Sequence, residues 1–257
     1  MSALTSCLKE EAAAIAAVAE RLDTNEVEQA LALLESCANQ GTKLVITGVG
    51  KSGIVARKIA ATFSSIGLMA LYLNPLDAMH GDLGVVASED VCLLLSNSGE
   101  TAELLEILPH LKRRGTSRIA LVGRANSSLA CGSDVVLEAS VDREACPLNL
   151  APTASTAVAL AIGDALAAVW MERRGISPTD FAFNHPAETW ASMKAIDLMT
   201  TDPITVDADL LVVEAIKQME CNRRKPISVL PVVGPDSSGS QFLGLLRLHD
   251  LVQAGLT

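Results

Sequence analysis

The sequence predicts an α/β protein, a parallel five-stranded sheet sandwiched by helices, followed by a small C-terminal β-α-β-β-α module. Three observations carry that expectation. Five apolar runs, 43–47, 69–73, 91–95, 118–122 and 135–138, alternate with helical stretches, and continuous rather than alternating apolar runs suit strands buried on both faces. Gly67 and Gly115 follow two of those helical stretches, where glycine can take the left-handed backbone that closes a helix. The composition, 49% hydrophobic and 19% charged over 257 residues, supplies a sizeable core and excludes a disordered chain.

Taken in order, MSALTSCLKEEAAAIAAVAERL reads as a helix, because Glu10 and Glu11 arrive before the apolar core of an export signal could form. Helices over 52–66 and 102–114 separate the strands. A last long helix opens near Pro152, whose missing N–H costs nothing in a first turn, and runs to about Arg174 before Gly175. Its 154–171 stretch is the most apolar in the chain, but Asp164 interrupts it and small residues fill it, so it reads as a buried helix rather than a membrane span.

The composition changes around Thr189, giving domains 1–189 and 190–257. The second contains a short opening helix and a strand with Ile204 and Val206 facing one way. An amphipathic helix from about Leu210, two strands around the PDSSGSQ turn, and a closing helix started by Asp250 complete it. So small a module has a marginal core and leans on a partner surface.

Charge and cysteine usage exclude further classes. Twenty Lys and Arg against thirty Asp and Glu leave a net charge of −10 with no basic cluster, which argues against a nucleic-acid partner. The cysteines, at 7, 37, 92, 131, 146 and 221, form no Cys-x-x-Cys pair and no zinc spacing, which points to a reduced, cytoplasmic compartment.

Two segments that follow strands carry the chemistry. Gly48-Val49-Gly50-Lys51-Ser52-Gly53 opens a helix, so its glycines admit a ligand close to the backbone while the helix N-terminus and Lys51 attract an anion. It matches neither the Walker nor the dinucleotide spacing, and a plain tight turn and a nucleotide site are the alternatives. Ser96-Asn97-Ser98-Gly99-Glu100-Thr101 gathers hydroxyls and an amide at a second helix N-terminus, a nest suited to a phosphate monoester. Thr153, Ser155 and Thr156 open the long helix, where ordinary capping is an equal reading. Acid or base candidates are Glu103, beside the second loop, Glu144, and two histidines in Gly/Pro-bounded segments, His80 and His185.

GVGKSG, NPLDAMHGDLG, SNSGETAE, REACPLNLAPTAST and FAFNHP, in this order, resemble the sugar isomerase (SIS) domain of bacterial D-arabinose 5-phosphate isomerases. The segment from DLMTTDPITV through LGLLRLHDLVQAG resembles a cystathionine-β-synthase (CBS) motif. The resemblance implies interconversion of D-ribulose 5-phosphate and D-arabinose 5-phosphate, the first step toward the octulosonate sugar of lipopolysaccharide. It further implies a homotetramer with composite active sites in which His80 or His185 reaches across from a neighbouring subunit.

By that resemblance Ser96, Asn97, Ser98 and Thr101, with Ser52, hold the phosphate, and Gly50, Thr153 and Ser155 are additional substrate-binding candidates. Lys51, His80, Glu103, Glu144 and His185 fall on active-site positions. Moving a proton between C1 and C2 through a cis-enediol needs a base, Glu103 or His185, with Lys51 as the electrostatic element. His80 would assist at the oxygens and Glu144 orient one of them. No redox cofactor is required, and no metal-ligand spacing supports a metal.

Two departures stand out. Family members continue the last histidine as HPGG, whereas this chain has Pro186, Ala187 and Glu188 after His185. Full-length members carry two CBS motifs and this chain one, similar to the second, so that it would pair with another subunit's; there a structural role competes with a nucleotide site. The rival readings are a phosphosugar-binding regulator without turnover and an isomerase of another phosphosugar.

Overall fold

The structure, a computed structural model, describes residues 2–185, 194–220, 227–236 and 239–253. Its contacts divide the chain into two units, Met1–Ala191 and Ser192–Thr257.

In the first unit, α1 (Ala3–Arg21) and α2 (Thr24–Gln40) precede the sheet. The break between them follows from Asp23, whose carboxylate caps α2 by accepting the N–H groups of Asn25 and Glu26. Strand β1 (Leu44–Gly48) leads into α3 (Gly50–Ser65), then β2 (Ala70–Leu73), α4 (Pro75–Ala78) and a 3-10 turn (Asp82–Val85). After these come β3 (Val91–Ser96), α5 (Ala102–Arg113), β4 (Ser117–Val122), α6 (Ser128–Cys131) and β5 (Val135–Glu138). The unit closes with α7 (Ala154–Arg174) and α8 (Pro178–Asn184).

All five strands are parallel, in the order β2-β1-β3-β4-β5. The chain winds outward from β1 to β2, then crosses back to β3 on the other side of β1. Where the winding reverses, a crevice opens beyond the C-terminal ends of the two strands. Every residue of β1 and β3 is buried, which explains their unbroken apolar sequence. Leu44, Ile46, Leu93, Leu95 and Leu121 pack on α1, α2, α3 and α7. Val45, Cys92, Leu94, Ala120 and Val122 pack on α5 and α6 from the other face.

Helix α7 is long and apolar enough to cross a membrane by length and composition, yet Val158, Ile162, Leu166 and Trp170 lie in the sheet's core. Trp170 meets Phe63 of α3 edge to face, ring centroids 6.5 Å apart. Asp164, the charge that interrupts the apolar run, pairs with Lys58 of α3.

Two elements differ from expectation. Helix α3 begins at Gly50 rather than Ser52, which brings Lys51 into its first turn. The stretch before His185, read as irregular, is α8, opened by a Ser177–Asp180 capping box with Pro178 in the first turn.

The second unit comprises α9 (Ala195–Leu198), β6 (Val206–Asp207), α10 (Val212–Glu220), β7 (Val229–Asp236), β8 (Gly239–Arg247) and α11 (Leu248–Gln253). Strand β6 is parallel to β7, and β7 and β8 form an antiparallel hairpin. The β-α-β-β-α order is as expected, but Ile204 falls outside the strand and is exposed; it follows Pro203, which has no N–H for a ladder. The closing helix begins at Leu248, two residues before Asp250, whose carboxylate pairs with Arg247. Among the described residues Val206, Ala215, Met219, Leu230 and Leu251 form its small core.

Gly163 marks the contact between α3 and α7. A Cβ there would lie 2.4 Å from Cδ1 and 2.6 Å from Cγ1 of Ile59, itself fully buried. The helix-propensity gain of alanine over glycine, about 1 kcal/mol, therefore competes with overpacking that costs about 1–3 kcal/mol. Gly163→Ala is expected to lower the urea midpoint at unchanged slope; a raised midpoint would show that α3 and α7 do not meet at this residue.

Candidate active site

A cavity of about 340 Å³ opens at the crevice between β1 and β3. Its first wall is the β1–α3 loop, drawn tight by two glycines. A Cβ on Gly48 would lie 2.9 Å from the carbonyl carbon of Ser52, and one on Gly53 would lie 2.7 Å from the Gly48 oxygen. Only glycine allows this approach of helix to strand. Gly50 takes φ +59° at the turn. The Tyr72 hydroxyl donates to the Gly48 carbonyl at 3.0 Å, and the Arg57 guanidinium stands 4.6 Å from the centre of the Tyr72 ring. No side chain caps α3 at Val49, so its first N–H groups remain available to an anion. Lys51 and Ser52 line the cavity from this turn.

The second wall is the β3–α5 loop. Ser96 is buried, and its Oγ accepts the Gly99 N–H at 2.9 Å and shares a hydrogen bond with the Thr101 hydroxyl at 2.7 Å. Gly99 has φ +67°, and a Cβ on it would overlap Ser127. The loop is tied to α6, where Glu100 accepts the Ser128 N–H at 2.8 Å and the Gly99 carbonyl accepts from Leu129 at 3.0 Å. Asn97 rests on Gly123, which follows β4, and a Cβ on Gly123 would come 2.3 Å from Asn97 Oδ1. Thr101 opens α5 without a side-chain cap bond. Ser96, Asn97, Ser98 and Thr101 all line the cavity.

The third wall is the start of α7, where Ser155 and Thr156 line the cavity. Here the helix N-terminus is already occupied. The Glu144 carboxylate accepts the N–H of Thr153 at 2.8 Å, its hydroxyl at 3.1 Å, the N–H of Ser155 at 3.2 Å and the Ser155 hydroxyl. Asn149 Oδ1 accepts the Glu144 N–H at 2.6 Å, and Thr153 Oγ1 accepts the Ala145 N–H at 2.9 Å. Burial alone would push the Glu144 carboxyl up; the donors of Ser155 and Thr153 outweigh it and hold the group below the usual carboxylate range.

The structure thus brings Lys51, Ser52, Ser96, Asn97, Ser98, Thr101 and Ser155 around one cavity. Gly50 shapes the first wall and Thr153 serves the Glu144 clamp. Four candidates do not line it within one chain. Glu144 faces α7. Glu103 is half-buried in the first turn of α5, and His80 is exposed after α4. His185 ends α8, stacked on Phe181 at 3.9 Å between ring centres with Nδ1 2.9 Å from the Phe181 oxygen. Its neighbour Asn184 lies against Gly67, which precedes β2, so His185 sits toward the N-terminal ends of the strands, the end opposite the cavity. Ala187 and Glu188 lie outside the described residues. Gly123 and Tyr72 escaped the sequence reading; a glycine directly after an apolar strand was the available signal for the first.

Comparison with known proteins gives consistent matches. The SIS domain family matches residues 36–169 and the CBS domain family residues 195–256. Arabinose 5-phosphate isomerase KdsD of Pseudomonas aeruginosa is 36% identical, over 83% of this chain and 85% of its own length. Arabinose 5-phosphate isomerase KpsF of Escherichia coli O6:H1 is 38% identical over 81% of this chain, which spans 64% of that relative. Among solved structures, an E. coli protein in complex with arabinose 5-phosphate is 42% identical with a TM-score of 0.68, covering 71% of this chain and 95% of that one.

The Glu144 clamp has a pH signature. A carboxyl whose folded pKa is depressed contributes stability above its unfolded pKa, about 4.3, and loses it as pH falls through the folded value. Glu144→Gln should therefore cost about 1–3 kcal/mol at neutral pH, with the gap to the unsubstituted protein closing below about pH 4. Urea unfolding of both proteins across pH 3–7 checks this, and a gap independent of pH would refute the clamp.

Proposed function

Since the chain belongs to the arabinose 5-phosphate isomerase family, with an SIS domain followed by one CBS domain, we propose that it interconverts D-ribulose 5-phosphate and D-arabinose 5-phosphate. The observation that carries this reading is the convergence of two uncapped helix N-termini, with Lys51 and the Ser96–Thr101 hydroxyls and amide, on one cavity of phosphosugar size. Ser96, Asn97, Ser98, Thr101 and Ser52 hold the phosphate, and Ser155 and Thr156 meet the sugar hydroxyls. Isomerisation transfers a proton between C1 and C2 through a cis-enediol, with no net electron transfer. Lys51 offsets the charge that develops on the oxygen.

The proton acceptor is the conspicuous gap, because no carboxylate or imidazole lines the cavity among the described residues. The site is therefore composite: His185 of a second copy enters it, His80 or Glu103 approaches from the rim, and Glu144 acts as a positioning residue through Ser155. A tetramer, a cytoplasmic setting and supply of the lipopolysaccharide octulosonate sugar belong to the same reading. In the second unit, the small core and the exposed Phe242, Leu243 and Leu245 of β8 favour pairing with the same module of another copy over a nucleotide site within one.

The same gap gives the rival reading, a phosphosugar-binding regulator, its support. Proton NMR with D-ribulose 5-phosphate in D₂O separates the two: the isomerase yields aldose signals with deuterium at C2, whereas saturable binding without exchange makes the chain a regulator. Exchange with a different phosphosugar alone would reassign the substrate. The composite site is tested by Lys51→Ala and His185→Ala, each expected to lower kcat about 10²-fold or more. Subunits of the two variants, dissociated and reassembled together, should recover activity; no recovery would place both residues in one chain's site.

A further inference from the structure

Five free thiols lie among the described residues, and their surroundings separate them. Cys37 and Cys92 are buried, and burial pushes both thiols up, Cys92 to about 12; they behave as core hydrophobes. Cys131 is exposed. Cys146 differs from all of these. Its Sγ accepts the backbone N–H of Leu150 and of Ala151, each at 3.1 Å, because the chain curls back through Asn149 at φ +53°. Those donors, Leu150 foremost, favour the thiolate and hold the thiol below its ordinary value.

A second thiol stands beside it. Cys7, on the second turn of α1, donates to the carbonyl oxygen of Ala145 at 3.6 Å, one peptide bond from Cys146. A disulfide needs Cα atoms about 4.4–6.8 Å apart. Helix α1 commits only Val18 to the buried core, so the turn bearing Cys7 can adjust without breaking a core contact. We propose that Cys146 is an oxidant-sensitive thiolate and Cys7 its resolving thiol, the pair closing reversibly into a disulfide under a hydroperoxide.

The chemistry balances in two steps. The Cys146 thiolate attacks one oxygen of hydrogen peroxide; an S–O bond forms, the O–O bond breaks, and the departing hydroxide takes up the proton that Cys146 lost, giving water and a sulfenic acid. Cys7, as thiolate, then attacks that sulfur; an S–S bond forms, the S–O bond breaks, and the hydroxide leaves as water with the Cys7 proton. Two thiols are oxidised and one peroxide is reduced to two waters. The product would tie α1 to the segment between Glu144 and Pro152, which sets the start of α7 and hence Ser155.

The test uses the full chain, reduced and then treated with hydrogen peroxide, blocked with N-ethylmaleimide and digested without reductant for mass spectrometry. The expected result is a Cys7–Cys146 linked peptide that dithiothreitol removes. Cys7→Ser should leave a dimedone-reactive sulfenic acid at Cys146, and untreated Cys146 should alkylate at pH 7 roughly tenfold or more faster than exposed Cys131. A disulfide through another cysteine, alkylation of Cys146 no faster than Cys131, or both Cys7 and Cys146 left reduced would overturn the proposal.

Discussion

Everything at the site depends on the reversal of winding between β1 and β3. Parallel strands in the order β2-β1-β3-β4-β5 send their successive helices to opposite faces, so α3 and α5 leave the sheet on either side of one crevice. Neither helix spends a side chain on capping its own first turn. Two partial positive charges therefore point at the same volume, and a small anion there satisfies N–H groups that would otherwise need water. The glycines are consequences of this arrangement. Gly48 and Gly53 let α3 descend onto the end of β1, and Gly123 makes room for Asn97.

The third helix contributes differently. Glu144 already places a carboxylate at the N-terminus of α7 and uses its oxygens on Thr153 and Ser155. A second anion at that end would meet like charge, so α7 presents hydroxyls to the cavity rather than a positive pole. The cavity is thereby polarised, with the α3 and α5 side suited to a phosphate and the α7 side to neutral hydroxyls. A buried carboxylate with four donors is also a poor proton acceptor, since each donor would lose an ionised partner on protonation.

The sheet was legible in the sequence because burial on both faces leaves an unbroken apolar signature, and the five runs match the five strands to within a residue or two. The two phosphate-suited loops were legible for the same reason, since a strand's end followed by glycine and hydroxyl residues fixes both position and chemistry. Glu144 was less so. Its partners lie nine and eleven residues onward, and residue type alone cannot separate a carboxylate that clamps a helix from one that faces a substrate. Helix α8 carried a readable Ser-Pro-Thr-Asp start, but the histidine after it drew the reading toward a loop. Its place toward the N-terminal ends of the strands follows from how α7 ends and turns, which is a packing outcome with no local sequence mark.

That place bears on how the molecule completes itself. A cavity that suits an anion but, among the described residues, is lined by no carboxylate or imidazole is on the proposed reading half of a site for enediol chemistry, and the imidazole of His185, toward the other end of the strands, does not line it within the same chain. Among its described residues the C-terminal unit has a small buried cluster and a hairpin that leaves Phe242, Leu243 and Leu245 exposed. Exposed aromatic and aliphatic groups on a β-ribbon are costly unless covered. On the proposed reading both deficits have one remedy, a second copy that lends an imidazole to the first unit and a matching apolar face to the second. Loss of association would then remove proton transfer while leaving each cavity able to bind a phosphosugar.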